Sequence, residues 1–301
     1  MRRYTIRAFE GQFPDDKACL AFLFKARWPQ GVTCARCGQA TKHFPRSTQR
    51  AYSCMICGTL VFPTAGTIFH KSPTPLRLWF YAMYLMAQTR CGISAKQLER
   101  ELGVTYKTAW RMFKQIRMLM EEDAHDLRGP VEADESYFGG KRKGASGRAV
   151  RPKTIVAGIV ERRGRVTARV TTDVKARTLM PMLWKRVRPY ENQTVYTDEL
   201  ASYNLLPRMG YRHVRVNHSA NVYVSGDAHT NTIEGFWSLV KNGIRGVYHA
   251  VGPDYLQSYL NEYSFRYNHR ADLAPMFEVL LARIPPLAER PAGVAVQTPG
   301  A

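Results

Sequence analysis

Apolar positions in the first 120 or so residues recur at helical spacing, and after Gly129 they give way to short β-branched runs. In the segment 14–28, Leu20, Phe22, Leu23 and Trp28 follow Asp15 and Asp16, which sit where the positive end of a short helix would be. A denser apolar run, LRLWFYAMYLMAQ, follows Pro75. Two further helical patterns reach about residue 122, with breaks at Gly92 and Gly103. Beyond Gly129-Pro130 the stretches VEADESYF, KTIVAGIVE and RVTARVTT predict strands, with a hairpin turn at Arg163-Gly164. The pattern then predicts a helix over about 174–187, a strand at TVYTD, a helix over about 199–209 and a strand at YRHVRV. Two long helices follow over about 231–243 and 254–269. Strands first and alternating helices and strands afterwards predict an α/β domain with a mixed sheet. The last residues, from Pro285, lack any periodicity and predict a disordered tail.

Four of the six cysteines change this picture. Cys34-Ala-Arg-Cys37 and Cys54-Met-Ile-Cys57 are separated by 16 residues, a spacing that lets two knuckles present four thiolates to one zinc ion. Gly38 and Gly58 each follow a pair, where positive φ closes the knuckle. Phe44, Pro45, Ser47 and Tyr52 between the pairs fit a β-hairpin. A four-thiolate site leaves no open position, so the Zn2+ is expected to be structural. Cys19 and Cys91, in or beside apolar segments, are expected to be buried thiols.

Lys and Arg number 44 against 24 Asp and Glu, a net charge of +20 and a pI near 9.9, which suits a polyanionic partner. Charge alone fits a ribosomal or membrane-surface protein as well, so the motifs must decide. Residues 94–120 read as a helix, a turn at Gly103 and a second helix capped by Thr105. Trp110, Phe113 and Met120 are expected on the buried stripe of that second helix, with Lys107, Arg111 and Lys114 on the other face. A recognition helix would lay such a face in the major groove; a merely solvated helix would show the same lysines. The chain has no apolar run of about 18 residues, and MRRYTIRAFEGQFPDD turns polar before a signal core could form. A cytoplasmic protein without a membrane partner is therefore expected.

Three acidic residues from different elements are candidates to hold the divalent ions that phosphoryl transfer uses. Asp134 lies inside a predicted strand, where a buried charge asks for a reason; an arginine partner is the alternative to a metal. Asp198 ends a predicted strand, where sites often form, although it could instead cap the next helix. Glu234 is on a predicted helix, yet Asn231-Thr-Ile-Glu234 also has the spacing of a capping box. Lys241 is seven residues past Glu234, two turns on and on the same face. Glu135 and Glu199 read as supporting residues, because neighbours on a strand point to opposite faces and at most one of Asp134 and Glu135 is expected to face the metals. His218 and His229 could orient water or phosphate, with a structural role favoured for each. The basic, Gly-rich run GGKRKGASGRAVRPK could track a DNA backbone or be a solvated loop. Trp237 reads as core.

VEADESYFGG, VYTDELASYN, HTNTIEGFWSLVKNGIRGVYH and YLNEYSFRYNHR resemble, in this order, the motifs of the ISXO2-like DDE transposases, zinc-ribbon enzymes of insertion sequences. The resemblance runs from the first C-x-x-C to about residue 270. It implies an RNase H-like catalytic domain with Asp134 on the first strand, Asp198 after the fourth and Glu234 on a later helix, together holding two Mg2+ or Mn2+ ions, and it implies that Lys241 contacts the transposon end. Some relatives carry Asn at the third position, which makes Asn231 a rival; Glu234 is preferred because Lys241 follows it and a hard cation favours an anionic ligand. The organisation expected is an N-terminal helical segment (1–28), a zinc ribbon (29–66), a helix-turn-helix DNA-binding region (70–125), an RNase H-like catalytic domain (129–285) and the tail (286–301). Such a protein would bind the terminal inverted repeats of its element, cut double-stranded DNA at the ends and join them to a target, acting as a homodimer or larger assembly on DNA. The alternatives are a zinc-ribbon and helix-turn-helix regulator without catalysis, or a nuclease that cuts without joining.

Overall fold

The computed structural model describes residues 4–122, 126–139, 153–190, 193–216 and 229–284. The expected tail, most of the Gly-rich basic run and His218 lie outside the described residues. The chain divides into two compact units, one of residues 1–88, 95–119 and 272–301, the other of 89–94 and 120–271.

The first unit opens with α1 (Ile6–Gln12), whose N-cap Thr5 accepts from the Ala8 amide at 3.2 Å, and α2 (Asp16–Arg27), capped by Asp15 through the Ala18 amide at 2.8 Å. These caps satisfy amides that a helix start leaves without an intrahelical partner. The cysteine-bearing segment forms a hairpin of β1 (Val32–Thr33) and β2 (Ala40–Thr41), and a three-stranded antiparallel sheet of β3 (His43–Pro45), β4 (Tyr52–Cys54) and β5 (Leu60–Val61). It is joined to the helices by Phe24, which stacks on Tyr52 at 4.0 Å, and by Arg50, which donates to Asp16 and to the Ser72 and Thr74 carbonyls. The apolar run after Pro75 is α3 (Leu76–Gln88), with Trp79, Phe80, Met83 and Met86 fully buried. The turn between α4 (Ala95–Leu102) and α5 (Tyr106–Leu119) falls at Gly103, and Thr105 Oγ1 accepts from the Thr108 amide at 3.4 Å. Phe113 and Met120 are buried as expected, whereas Trp110 is only half-buried; Ala109, Met112 and Ile116 fill the stripe instead.

The second unit is built on five strands: β6 (Val131–Phe138), β7 (Thr154–Glu161), β8 (Val166–Thr171), β9 (Thr194–Thr197) and β10 (Arg212–Arg215), in the order β10-β9-β6-β7-β8. β6, β7 and β8 are antiparallel neighbours; β9 runs parallel to β6, and β10 parallel to β9. Three antiparallel strands followed by two parallel ones on the far edge of the first is the RNase H-like arrangement. β7 is buried on both faces, as its unbroken TIVAGIV run requires. On one face α6 (Ala176–Arg186) sets Leu179, Met180 and Leu183 against Val131, Ala133, Ile159 and Val195. On the other, α7 (Asn231–Gly243) and α8 (Pro253–Asn268) set Ile233, Phe236, Trp237, Val240 and Tyr263 against Phe138, Val156, Val160 and Ala168.

The predicted helix over 199–209 is instead two 3₁₀ turns, Ala201–Leu205 and Pro207–Met209. Pro207 has no amide to donate, so it starts a new turn rather than continuing the old one. Cys19 is buried as expected and its thiol is pushed up to about 12 by that burial, but Cys91 is exposed. After Ala271 the chain rejoins the first unit as α9 (Met276–Ala282), where Phe277 packs among Tyr4, Phe9, Phe13 and Tyr84 at ring separations of 4.9–6.2 Å.

Candidate active site

The β6 and β9 ladders pair Ala133 with Thr197, so Asp134 and Asp198 come next to each other just past the last paired residues. Oxygens of Asp134, Glu135 and Asp198 all lie within 4.8 Å of one another. Glu135, read from strand alternation as a supporting residue, has its carboxylate in this group as well. Glu135 does leave β6 on the face of the 3₁₀ turns, where the Tyr203 hydroxyl donates to it, but its side chain is long enough to return to the strand's end.

The electrostatics of this group are unfavourable without a cation. Burial raises Asp134 to about 6, and the charges of Asp198 and Glu234 add to the shift; the Glu135 amide and Trp237 oppose it. Burial likewise raises Glu135 to about 7, with Asp134 and Asp198 adding to it against the Tyr203 hydrogen bond. Tyr203, buried and facing these carboxylates, is held well above the usual phenol range and so remains a donor. Among the described residues no lysine or arginine pairs with Asp134. Asp198 does serve the following turn, accepting from the Leu200 amide at 3.0 Å, which leaves its second oxygen for the cluster.

Glu234 is exposed near the start of α7 and close enough for its charge to act on Asp134, but it is not one of the three converging oxygens. The expected capping box does not form: Thr230, not Asn231, is the N-cap, it makes no side-chain cap hydrogen bond, and its hydroxyl donates to the Glu234 carboxylate at 2.9 Å instead. Asn231 is exposed in the first turn, and Glu199 is exposed as well.

Two residues that the sequence reading passed over fix α7 against the strand. Glu132 is fully buried, and its carboxylate accepts from the Thr232 amide (2.8 Å), the Thr232 hydroxyl (2.9 Å), the Ile233 amide (3.0 Å) and Arg162 Nε (2.8 Å). A buried carboxylate is tolerable only with such donors, and these are helix-start amides at the positive end of the dipole. Arg162 also donates to the His229 carbonyl at 2.7 Å, and His229 Nδ1 lies 3.3 Å from Glu132. Nearly two turns into α7, Trp237 Nε1 donates to Asp134 Oδ2 at 3.0 Å. Its ring fits because position 158 is glycine: a Cβ there would stand 2.5 Å from the indole. A strand glutamate two residues before a candidate aspartate was the available signal for Glu132. On the other side, Thr197 Oγ1 meets His213 Nε2 at 2.9 Å, and burial lowers His213, keeping it neutral.

Lys107, Arg111 and Lys114 share the exposed face of α5. Lys241, at the far end of α7 from Glu234, places its ammonium 5.8 Å from the centre of the Phe138 ring.

Sulfurs of Cys34, Cys37, Cys54 and Cys57 lie within 4.8 Å of one another, with Cys34–Cys57 at 3.5 Å and Cys37–Cys54 at 3.9 Å. Tetrahedral zinc at about 2.3 Å from each sulfur sets them roughly 3.8 Å apart, so the cluster fits that ion. Gly38 and Gly58 both take φ +69°. The Cys37 and Arg36 amides lower Cys34, and the Thr59 hydroxyl and amide lower Cys57 to about 6, whereas Cys37, facing the other sulfurs, is raised to about 11.

The sheet order and the acidic group at the ends of two neighbouring parallel strands define an RNase H-like domain, preceded in the chain by a zinc ribbon. Residues 126–268 match the ISXO2-like transposase domain, and residues 14–59 match the transposase zinc-ribbon domain. The chain thus carries an ISXO2-like transposase domain together with a transposase zinc ribbon, which supports a transposase role. It is 28% identical over 276 residues, covering 84% of this chain and 91% of the relative, to an "uncharacterized protein in transposable element ISH50" of Halobacterium salinarum. An "uncharacterized transposase-like protein" of Haemophilus influenzae is 29% identical over 100 residues, 33% of this chain and 78% of that protein. Among solved structures, a simian T-cell lymphotropic virus intasome bound to the PP2A regulatory subunit B56 gamma is similar at 14% identity, with 73% of this chain and 78% of that one covered and a TM-score of 0.32. The Mos1 strand transfer complex matches at 12% identity, 67% and 77% coverage and a TM-score of 0.23. At such scores the fold rests on the sheet order and the family matches alone. No described helix is long and apolar enough to cross a membrane.

Proposed function

We propose that the protein binds the terminal inverted repeats of its own element and catalyses metal-dependent cleavage and strand transfer there. The observation that carries this reading is the convergence of Asp134, Glu135 and Asp198 within 4.8 Å with burial and mutual repulsion raising the first two. Oxygens around one divalent ion at 2.1–2.5 Å span roughly 4–5 Å, so the group fits Mg2+ or Mn2+, hard cations that favour carboxylates. Asp134 and Asp198 would hold the ions, Glu234 would complete the set from α7, and Glu135 joins them as a ligand that strand alternation had ruled out. When bound, two such ions lower the pKa of the attacking oxygen and neutralise charge on the leaving one.

The protein's own residues then orient the reactants. Trp237 and Tyr203 fix the Asp134 and Glu135 carboxylates by hydrogen bonds, and Lys241 would meet a phosphate at the DNA end. In the first displacement a water oxygen bonds to phosphorus and the 3′-oxygen of the element's terminal nucleotide leaves. In the second, that 3′-hydroxyl bonds to a target phosphorus and a 3′-oxygen of the target leaves. Each step exchanges one P–O bond for another, so one set of carboxylates serves both without a covalent protein intermediate. The basic face of α5, with Lys107, Arg111 and Lys114, would contact the repeats, the zinc ribbon would support that grip, and joining two ends in concert calls for a homodimer or larger assembly.

The test is a cleavage and strand-transfer assay with Mg2+ or Mn2+ on duplexes of the element's ends, comparing wild type with Asp134→Ala, Asp198→Ala and Glu234→Ala. Wild type should cut and join while the variants bind and do neither. Specific binding by the wild type without any cutting would replace this reading with a DNA-binding regulator.

A further inference from the structure

Beyond the acidic centre, β6 and the end of α7, the helix that bears Glu234, run on together into a cavity of about 390 Å3. That volume is within the range of sites for small molecules or single residues of a polymer, roughly 300–1,000 Å3. Phe138, Ile244, Val251 and Leu256 give it an apolar bed, and Tyr137, 49% exposed, stands at its edge. Lys241 and Arg245 supply positive charge from one side, with His249 beside them. Among the described residues no carboxylate pairs with any of these three.

Two backbone features mark the same wall. α7 ends in a single π turn, Ile244–Tyr248, and His249 follows at φ +61°, a left-handed conformation that costs a non-glycine residue energy. Insertions of this kind concentrate at functional sites because they re-aim side chains at the end of a regular helix. Here they bring Arg245 and His249 round to the cavity that Lys241 already lines.

We infer that this cavity receives one unpaired nucleotide of a DNA strand leaving the acidic centre, with its base against Tyr137 and the apolar bed and its phosphate on Arg245 and Lys241. The inference rests on the proposed DNA-end substrate. An aromatic edge over an apolar floor suits a base of any sequence, and a cationic rim suits the phosphate beside it. The spacing agrees. Phe138 is four residues past Asp134 on β6, about 13 Å along the strand. Lys241 and Arg245 are seven and eleven residues past Glu234, about 10 and 16 Å along the helix axis. Those lengths correspond to roughly three to five nucleotide steps at 3.4 Å per strand. A duplex would keep its bases stacked and out of reach of such a pocket, so the occupant must be single-stranded or turned out of the helix.

The experiment measures binding of the full-length protein to three forms of the element's terminal repeat: blunt, with a five-nucleotide single-stranded extension, and with the same extension lacking its bases. Anisotropy gives the affinities, and 2-aminopurine placed along the extension reports stacking by quenching. Wild type is expected to favour the base-bearing extension by about tenfold over the other two and to quench one position most. Tyr137→Ala and Val251→Trp, which remove the aromatic edge and fill the bed, should abolish that preference while leaving blunt-duplex affinity unchanged. Arg245→Ala should weaken binding to both extensions equally. Equal wild-type affinity for base-bearing and base-free extensions overturns the pocket and leaves the transposase reading intact. Failure to bind any of the three duplexes overturns both.

Discussion

Glu132 and Asp134 stand two residues apart on one face of β6, and their surroundings are opposite. Glu132 has lost all contact with solvent, and two helix amides, a hydroxyl and an arginine meet its oxygens. Asp134 is only half-buried, yet it receives one indole N–H and one backbone amide and faces Asp198, Glu135 and Glu234. A carboxylate that serves the fold is closed by donors; one that awaits a cation is left short of them. The contrast locates function by what is missing rather than by depth of burial.

The comparison is sharpened most by replacing the two residues in parallel. Asp134→Asn should lower cleavage by at least about a thousandfold while raising the stability of the metal-free protein, since it removes a desolvated charge from a repulsive group. Glu132→Ala should do the reverse on stability, costing about 3–5 kcal/mol because Arg162 and the first turn of α7 lose their buried partner. Denaturant melts of both variants in EDTA test this pair. Destabilisation by Asp134→Asn would break the distinction drawn here.

Titration gives the next largest effect. Asp134 is raised to about 6 in the folded protein, so the folded state holds that proton more tightly than the unfolded chain. Its contribution is fully present below the ordinary carboxylate range and is lost as pH rises through about 6; Glu135 loses its own through about 7. For Asp134 the difference amounts to about 3 kcal/mol. Melting temperature in EDTA should therefore fall between pH 4 and 7, and the fall should shrink in Asp134→Asn. Added Mg2+ should restore stability at the upper end. A metal-free protein whose melting temperature is flat over this window would count against the raised pair.

The smallest effect separates holding a carboxylate from packing beside it. Trp237→Phe keeps most of the ring under Gly158 but removes the N–H that Asp134 accepts, and it should cost about tenfold in Mn2+ affinity, measured by calorimetry. Unchanged affinity would reduce Trp237 to core.

Much of this was legible in the chain. The knuckle spacing, the strands from Val131 to Thr171 and the helix bearing Glu234 follow from local rules, because each depends on residues close together in sequence. Glu135 did not, since its reach toward Asp198 depends on β9 lying beside β6 and on Tyr203 from a turn 68 residues away. Glu132 was hidden for a similar reason: its partners on α7 are a hundred residues distant. The 3₁₀ turns after Asp198 escaped because apolar spacing cannot distinguish i+3 from i+4 over so few residues, although Pro207 was a visible clue. α9 gave no signal of belonging with the first unit, which the aromatic cluster around Phe277 reveals.

The clasp between Glu132 and the start of α7 has one further consequence. The anchor and the reactive carboxylate share a single strand, so the helix is referenced to the same datum as Asp134, one pleat away. The dimension between them is set by two residues of extended backbone, about 7 Å, and not by the accumulated path of the chain that joins strand to helix. Such a centre is calibrated at its base, and the segments that connect its parts are free to vary in length and composition without detuning it.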